Sequence, residues 1–173
     1  MAEVLLSAQK VTKRFGGLAA VNGVSVDLWR GTIHAVIGPN GAGKSTLTNL
    51  LSGDLPPTSG TVLLGGTNVT GWAPERISRQ GLGRSYQKTN IFLPLTVHEN
   101  VRLAAQSRAP QQPWHPLRWL QNASREPAVN ERAEKAPELA GLTARRHFLA
   151  GAARHGAQRQ TGIALTLATD PQG

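Results

Sequence analysis

The residues whose types and spacing could do chemistry lie together in one short run. The run reads Gly38-Pro39-Asn40-Gly41-Ala42-Gly43-Lys44-Ser45-Thr46 and fits the pattern G-x-x-x-x-G-K-[ST]. Glycines allow such a loop to turn its amide groups toward phosphate oxygens, and a following helix adds unpaired amide donors. Lys44 would reach the β- and γ-phosphates, and the Ser45 hydroxyl would ligate Mg²⁺. The run predicts a binding site for a nucleoside triphosphate with Mg²⁺, or descent from a chain that had one.

The elements that must position this loop are predicted from periodicity. The β-branched run Thr32 to Ile37 predicts a strand before the loop, and the leucines of Ser45 to Ser52 predict a helix after it. Further strands are predicted at 4–12, 18–28 and 60–64, and further helices at 74–80, 97–106, 128–139 and 158–169. Thr96 and Glu99 have the spacing of a capping box, and Pro137 is expected to break or kink its helix. A strand, a glycine loop, a helix and a strand in this order indicate an α/β fold.

Composition narrows the class of protein. The 173 residues contain 19 Lys and Arg against 10 Asp and Glu, and the net charge of +9 favours an anionic partner. The absence of cysteine excludes disulfides and Cys-bound zinc. No apolar run has the length of a membrane span, and residues 1–10 lack a signal peptide, so we expect a soluble, intracellular protein. Scattered basic residues and only 5% aromatic residues make a specific nucleic-acid-binding module the weakest alternative.

Two short motifs flank the loop in the sequence. Phe15-Gly16-Gly17 precedes it, and Gln87 ends the run Gly83-Arg84-Ser85-Tyr86-Gln87. With these motifs, residues 11–108 resemble the ATP-binding subunits of ABC transporters, and among them those of importers for branched-chain amino acids or urea. The segments that carry the resemblance are FGGLAAVNGVS, GPNGAGKSTLTNLLSG, GTVLLGGTNVTGW, GLGRSYQKTNIF and LTVHENVRLAA.

The resemblance implies a fold and a division of the chain. It implies a partial ABC ATPase domain of the P-loop NTPase type, α/β in class, with an N-terminal β-subdomain and a helical subdomain. Residues 1–87 would form the ATP-binding core, with the P-loop and the Q-loop. Residues 88–157 would form the helical subdomain, which includes a Pro- and Trp-rich insertion at 109–127. Residues 158–173 would return to the core.

The resemblance also assigns roles to residues. Phe15 would stack on adenine, although an ordinary core phenylalanine is the alternative. Gln87 would be the Q-loop glutamine beside Mg²⁺ and the attacking water, although a surface amide is the alternative. Lys44 and Gln87 are therefore the expected catalytic residues, and Ser45 and Gln87 the expected metal ligands.

A function and partners follow from the same resemblance. The chain would couple ATP binding and hydrolysis to import, together with membrane permease subunits and a second ATP-binding subunit. It would lie in the cytoplasm, on the inner face of the cell membrane.

The sequence also departs from the family pattern. The stretch aligned with the family signature is Ala153-Arg154-His155-Gly156-Ala157-Gln158, where arginine replaces the signature serine. No apolar strand ending in Asp-Glu follows, and Asp170 is interpreted as an ordinary residue at a helix end. We therefore expect a fragment, a frameshifted or a decayed copy, with a nucleotide-binding remnant that does not hydrolyse ATP as the alternative. The strand that precedes the loop would then expose an apolar edge.

Overall fold

The computed structural model describes residues 3–86, 91–107, 127–153 and 155–171. The chain forms two compact units, one reaching to Leu82 and one running from Gly83 to Pro171. Within the described residues, the helices are too short or too polar to cross a membrane. Residues 108–126, which include most of the predicted insertion, lie outside the described part of the chain.

The first unit is built on an antiparallel sheet. Its strands are β1 (Val4–Phe15), β2 (Leu18–Trp29), β3 (Ser59–Leu64) and β4 (Thr67–Asn68), in the order β2-β1-β3-β4. A tight turn at Gly16, with φ +58°, joins β1 to β2. The central strand β1 pairs with both neighbours, since Leu6 lies opposite Leu28 on β2 and opposite Leu64 on β3.

Two helices cover the core of this sheet. The helix α1 (Lys44–Leu51) places Leu50 in the core, and α2 (Pro74–Arg79) places Ile77 there. The α1 bounds confirm the predicted helix within one residue at each end, and Gly53, with φ +82°, follows its C-cap as expected. The buried side chains of this core are Leu6, Ala8, Val11, Val21, Leu50, Val62, Leu64, Val69 and Ile77.

The predicted strand at Thr32 to Ile37 is wrong. These residues have no regular secondary structure, and the side chains of Ile33 and Ile37 are 101% and 91% exposed. Thr32 instead turns back on β2, because its amide and its hydroxyl both donate to the carbonyl of Trp29. A strand needs a neighbouring strand to satisfy its backbone, and none of the described strands pairs with this segment.

In the described part of the second unit, three α-helices form a bundle. These are α3 (Val97–Gln106), α4 (Pro127–Leu139) and α5 (His155–Ala168), and each packs against the other two. Their contact is rich in alanine, which allows the helices to approach closely: the core includes Ala105, Ala133, Ala136, Ala164 and Ala168.

Pro137 does not break its helix. The helix α4 runs through Pro137 and ends two residues later, at Leu139. Proline in the last turn costs one backbone hydrogen bond, and the ring is fully buried, so packing offsets that loss. The carbonyl of Pro137 accepts from the amide of Leu142 at 2.7 Å and so closes the helix end.

A buried asparagine and a capping box fix the start of α3. The side chain of Asn100 accepts from the amide of Phe92 at 2.7 Å and donates to the carbonyls of Phe92 and Thr96 at 3.0 and 2.9 Å. The hydroxyl of Thr96 accepts from the amide of Glu99, and the Glu99 carboxylate accepts from the amide of Thr96, which confirms the predicted capping box. The segment before α3 is therefore held in one conformation.

Candidate nucleotide-binding site

The loop 38–43 has the backbone geometry that the motif requires. Gly41 and Gly43 have φ values of +85° and +82°, which an L side chain rarely adopts. The amide of Ala42 donates to the carbonyl of Pro39 at 3.3 Å and closes a turn in the middle of the loop. This backbone path leads directly into the first residue of α1.

The side chain of Lys44 folds back over the loop. Its ammonium group donates to the carbonyls of Gly38 and Pro39, both at 2.7 Å. Lys44 therefore lies across the loop rather than pointing away from it. A cation in this position places positive charge on the loop, which suits an anionic ligand.

The first turn of α1 supplies backbone donors. Its first internal hydrogen bond runs from the amide of Leu47 to the carbonyl of Gly43, and no side chain caps the helix start. By helix geometry, the amides of Lys44, Ser45 and Thr46 have no acceptor inside the helix. These donors and the partial positive charge of the helix terminus suit an anion.

The donor set fits ATP with Mg²⁺ in its chemistry. Amides and an ammonium group bind phosphate oxygens, and the exposed hydroxyl of Ser45 is a hard oxygen ligand of the kind that Mg²⁺ prefers. Within the described residues, no three His, Asp or Glu side chains cluster as a separate metal site. The hydroxyl of Ser45 is a group of the loop that could hold Mg²⁺.

The structure brings the loop to the hairpin that carries Phe15. A side chain at Gly43 would collide with the carbonyl oxygen of Ala20, so the backbones of the loop and β2 are in close contact. Ala20 lies two residues after Leu18, which pairs with Phe15 across the β1–β2 turn. Phe15 is 50% exposed, so it is not a core phenylalanine.

Sequence reasoning missed one residue of this hairpin. The ammonium group of Lys13 lies 5.4 Å from the centroid of the Phe15 ring, in cation–π range. Lys13 also donates to the carbonyl of Pro56, which fixes its position. The available signal was the alternation of side chains along the predicted strand. Lys13 and Phe15 are two residues apart, so this alternation places them on the same face.

The structure describes only some of the other predicted site residues. Gln87 and Arg154 lie outside the described residues, so the roles suggested for them remain predictions. The signature-like stretch does coincide with a helix start, since α5 begins at His155. Asp170 follows the end of α5 and lies 3.7 Å from Arg132, as expected for a residue at a helix end.

Comparisons with known proteins agree with this geometry. The chain is 35% identical over 175 residues to the high-affinity branched-chain amino acid transport ATP-binding protein LivG of Escherichia coli (strain K12), a match that takes in 99% of the chain and 68% of LivG. It is 43% identical over 105 residues to the ribose import ATP-binding protein RbsA of Rhodococcus jostii (strain RHA1), covering 61% of the chain and 21% of RbsA. A crystal structure of the ADP conformation of an ATP-binding cassette of an ABC transporter superposes with a TM-score of 0.79 at 28% identity, covering 97% of the chain and 66% of that structure.

The fold and the loop define an α/β domain of the P-loop NTPase class. A family model described as ABC transporter matches residues 21–172, which is most of the chain. The chain belongs to the ABC transporter family, and the predicted fold class is confirmed. The chain spans 66% of the length of the superposed structure, less than two thirds of it.

Proposed function

We propose that the chain is the ATP-binding subunit of an importer for branched-chain amino acids and that residues 38–46 bind the phosphates of Mg-ATP. The observation that supports this most directly is the start of α1. Its backbone amides have no side-chain cap among the described residues, and the ammonium group of Lys44 lies on the loop that leads into the helix. An anion is the ligand that such an arrangement favours.

Each site residue has a role in this proposal. Lys44 neutralises the β- and γ-phosphates, the amides at the start of α1 orient them, and Phe15 stacks on adenine. Ser45 and Gln87 would hold Mg²⁺, which when bound neutralises charge between the two terminal phosphates. Lys44 and Gln87 act in hydrolysis, when the subunit is paired with a second ATP-binding subunit.

The substrate class and the partners follow from the relatives. LivG matches almost the whole chain, whereas RbsA matches 61% of it, which favours amino acids over sugars. The partners would be permease subunits and a second ATP-binding subunit, at the inner face of the cell membrane. Residues 1–87 would be the ATP-binding core, residues 88–157 the subdomain that meets the permease, and residues 158–173 the return to the core.

Thermal unfolding with Mg-ATP tests the nucleotide site. A ligand at 100 times its Kd raises the free energy of unfolding by about 2.7 kcal/mol if only the folded state binds it. We expect this increase in the wild-type chain and in Lys10→Ala, which removes an exposed lysine elsewhere in the first unit. Lys44→Ala should lose most of it. Equal shifts in all three proteins, or no shift in the wild type, would contradict the proposal.

Uptake measurements test the substrate class. Deletion of the gene in the cell that encodes it should lower the uptake of radiolabelled leucine and leave the uptake of ribose unchanged. Restoring the gene should restore leucine uptake, and restoring it with Lys44→Ala should not. A loss confined to ribose would assign the chain to sugar import instead.

A further inference from the structure

The side chain of Lys13, near the end of β1, makes two contacts at once. Its ammonium group donates to the carbonyl of Pro56 at 2.7 Å and lies over the ring of Phe15, 5.4 Å from the ring centroid. Lys13 is half-buried, whereas Arg14 beside it is exposed. A lysine has a long, flexible stem, and two partners restrict it to few conformations. The cation is therefore held at the ring of Phe15.

The carbonyl that holds Lys13 belongs to a segment that is fixed to the same strand. The amide of Thr58 donates to the carbonyl of Thr12 at 2.8 Å, and the amide of Arg14 donates to the hydroxyl of Thr58 at 3.0 Å. Neither bond involves the side chain of Lys13. The segment that contains Pro56 is thus attached to β1 independently of the lysine, and it directs the ammonium group.

Strand pairing places Lys13 and Phe15 beside the candidate site. Lys13 lies opposite Val21 on β2, and Phe15 lies opposite Leu18. A β-carbon at Gly43 would meet the side chain of Val21 at 3.4 Å. The residue that pairs with Lys13 is therefore in contact with the glycine loop, and the lysine belongs to the part of the hairpin that adjoins this loop.

A cation over the ring affects how Phe15 binds a ligand. The attraction between the ammonium group and the electrons of the ring favours one orientation of the ring. Phe15 is 50% exposed, so half of its surface has no protein contact to hold it. A side chain that is ordered before its ligand arrives loses less conformational entropy on binding. Lys13 can therefore raise the affinity for a ligand that it does not touch.

Two other roles for Lys13 predict different behaviour. If it only braces Pro56, its loss would lower stability and leave ligand affinity unchanged. If it binds phosphate directly, its loss would weaken the binding of any polyphosphate. The two contacts of its ammonium group are both made within the hairpin and its attached segment, which favours an action through the ring.

We propose that Lys13 is a positioning residue for the nucleobase: it orients the ring of Phe15, on which the base of the nucleotide stacks. The proposal rests on the proposed nucleotide site and adds the residue that prepares this site for the base. Because the ammonium group lies over one face of the ring, the base stacks on the other face. The affinity for a ligand with a base depends on Lys13, and the affinity for a polyphosphate without one does not.

Isothermal titration calorimetry of the full chain with two ligands tests the proposal. The ligands are Mg-ATP and magnesium tripolyphosphate, which has three phosphates and no base. Lys13→Met removes the ammonium group and keeps an unbranched apolar stem. It should weaken ATP binding by roughly two- to tenfold, the usual cost of ordering one side chain on binding, and leave tripolyphosphate binding unchanged.

Two further variants serve as rescue and control. Lys13→Arg should bring the ATP affinity back to within about twofold of the wild type, because a guanidinium group also lies well over an aromatic face. Lys10→Met removes the same charge from the same strand and should change the affinity for neither ligand. Circular dichroism and urea unfolding check that each variant keeps its fold.

A double-mutant cycle tests whether Lys13 acts through the ring. Phe15→Leu should weaken the binding of ATP and leave that of tripolyphosphate unchanged, since only ATP has a base to stack. Lys13→Met added to Phe15→Leu should then cause no further loss, because the ring on which the lysine acts is absent. A further loss in this background would show that Lys13 acts directly, which would overturn the proposal.

The remaining outcomes separate this proposal from the nucleotide site itself. Lys44→Ala should weaken the binding of both ligands, and if it weakens neither, the site and the role of Lys13 are both wrong. If Lys44→Ala and Phe15→Leu act as expected but Lys13→Met binds ATP as the wild type does, only the role of Lys13 is wrong. Equal losses of ATP and tripolyphosphate in Lys13→Met would also overturn it, and so would an unchanged ATP affinity in Phe15→Leu.

Discussion

A side chain at Gly43 would collide with the carbonyl oxygen of Ala20 on β2. Gly43→Ala must therefore move the backbone as well as adopt a strained φ. We expect it to lower the free energy of unfolding by more than about 3 kcal/mol and to abolish ATP binding. Urea unfolding and the Mg-ATP thermal shift measure the two effects.

Gly41→Ala is the matched control for that prediction. Its φ of +85° is nearly that of Gly43, but a side chain there meets open space. We expect a loss of about 1–2 kcal/mol, from the backbone conformation alone. Equal losses at the two glycines would show that contact with Ala20 does not constrain the loop.

Asn100 is the second residue whose replacement has a clear expected cost. Its side chain is 1% exposed and bonds to the backbone of Phe92 and Thr96. Asn100→Ala removes the side-chain partner of the part-buried amide and carbonyl of Phe92, so we expect the free energy of unfolding in urea to fall by about 2–4 kcal/mol. Gln106→Ala at the exposed end of α3 should change stability by less than about 0.5 kcal/mol. A small loss at Asn100 would indicate that water replaces its bonds.

At the level of single residues, the sequence predicted what is local. The motif places glycine where φ is positive and lysine at the start of α1. Both features depend on residues only a few positions apart, so the sequence could predict them. The contact of Gly43 with Ala20 depends on the packing of the loop against β2, which brings together residues far apart in sequence. No local pattern carries that information.

At the level of elements, the segment 32–37 offers a direct comparison between exposed and buried isoleucines. Ile33→Ala should change the free energy of unfolding by less than about 0.5 kcal/mol, because the side chain is fully exposed. Ile77→Ala, in the core of the same unit, should cost about 2–5 kcal/mol. Urea unfolding of both variants measures the difference. Similar costs would mean that Ile33 is buried against a strand in solution.

The capping box of α3 predicts an acid dependence. Hydrogen bonds from the Thr96 amide and hydroxyl lower the pKa of Glu99 below its usual 4.5. A lowered pKa contributes stability above pH 4.5, and that contribution is lost as the pH falls through the folded-state value. Glu99→Gln can keep the capping geometry without the charge. The wild type should therefore be the more stable protein at pH 7, and the two should converge once the pH falls below the lowered pKa of Glu99. A difference that persists in acid would contradict this origin.

Prediction of elements succeeded where a local signal sufficed. The start of α3 follows from Thr96 and Glu99, because these two side chains form the capping box that specifies where the helix begins. The segment 32–37 has the composition of a strand, but strand formation depends on a neighbour that composition does not reveal. Pro137 was expected to break or kink its helix, because only the packed structure shows that it stands in the last turn.

At the level of the whole molecule, the division into two units predicts where nucleotide acts. Hydrogen exchange with and without Mg-ATP should show the largest increase in protection at residues 15–20 and 38–51, all of which lie in the first unit. The helices of the second unit should change less. The largest increase in α3 or α4 would mean that the nucleotide binds elsewhere. Lys10→Ala should reproduce the wild-type pattern.

The two bonds from Lys44 to the carbonyls of Gly38 and Pro39 make the loop a ring closed by its own side chain. A polyphosphate that enters the ring must compete with those carbonyls for the same protons. Its net affinity is then the difference between two sets of bonds, and counting donors overstates it. The same two bonds should also keep the conformation of the loop between one nucleotide and the next, so that its backbone need not become disordered when product leaves.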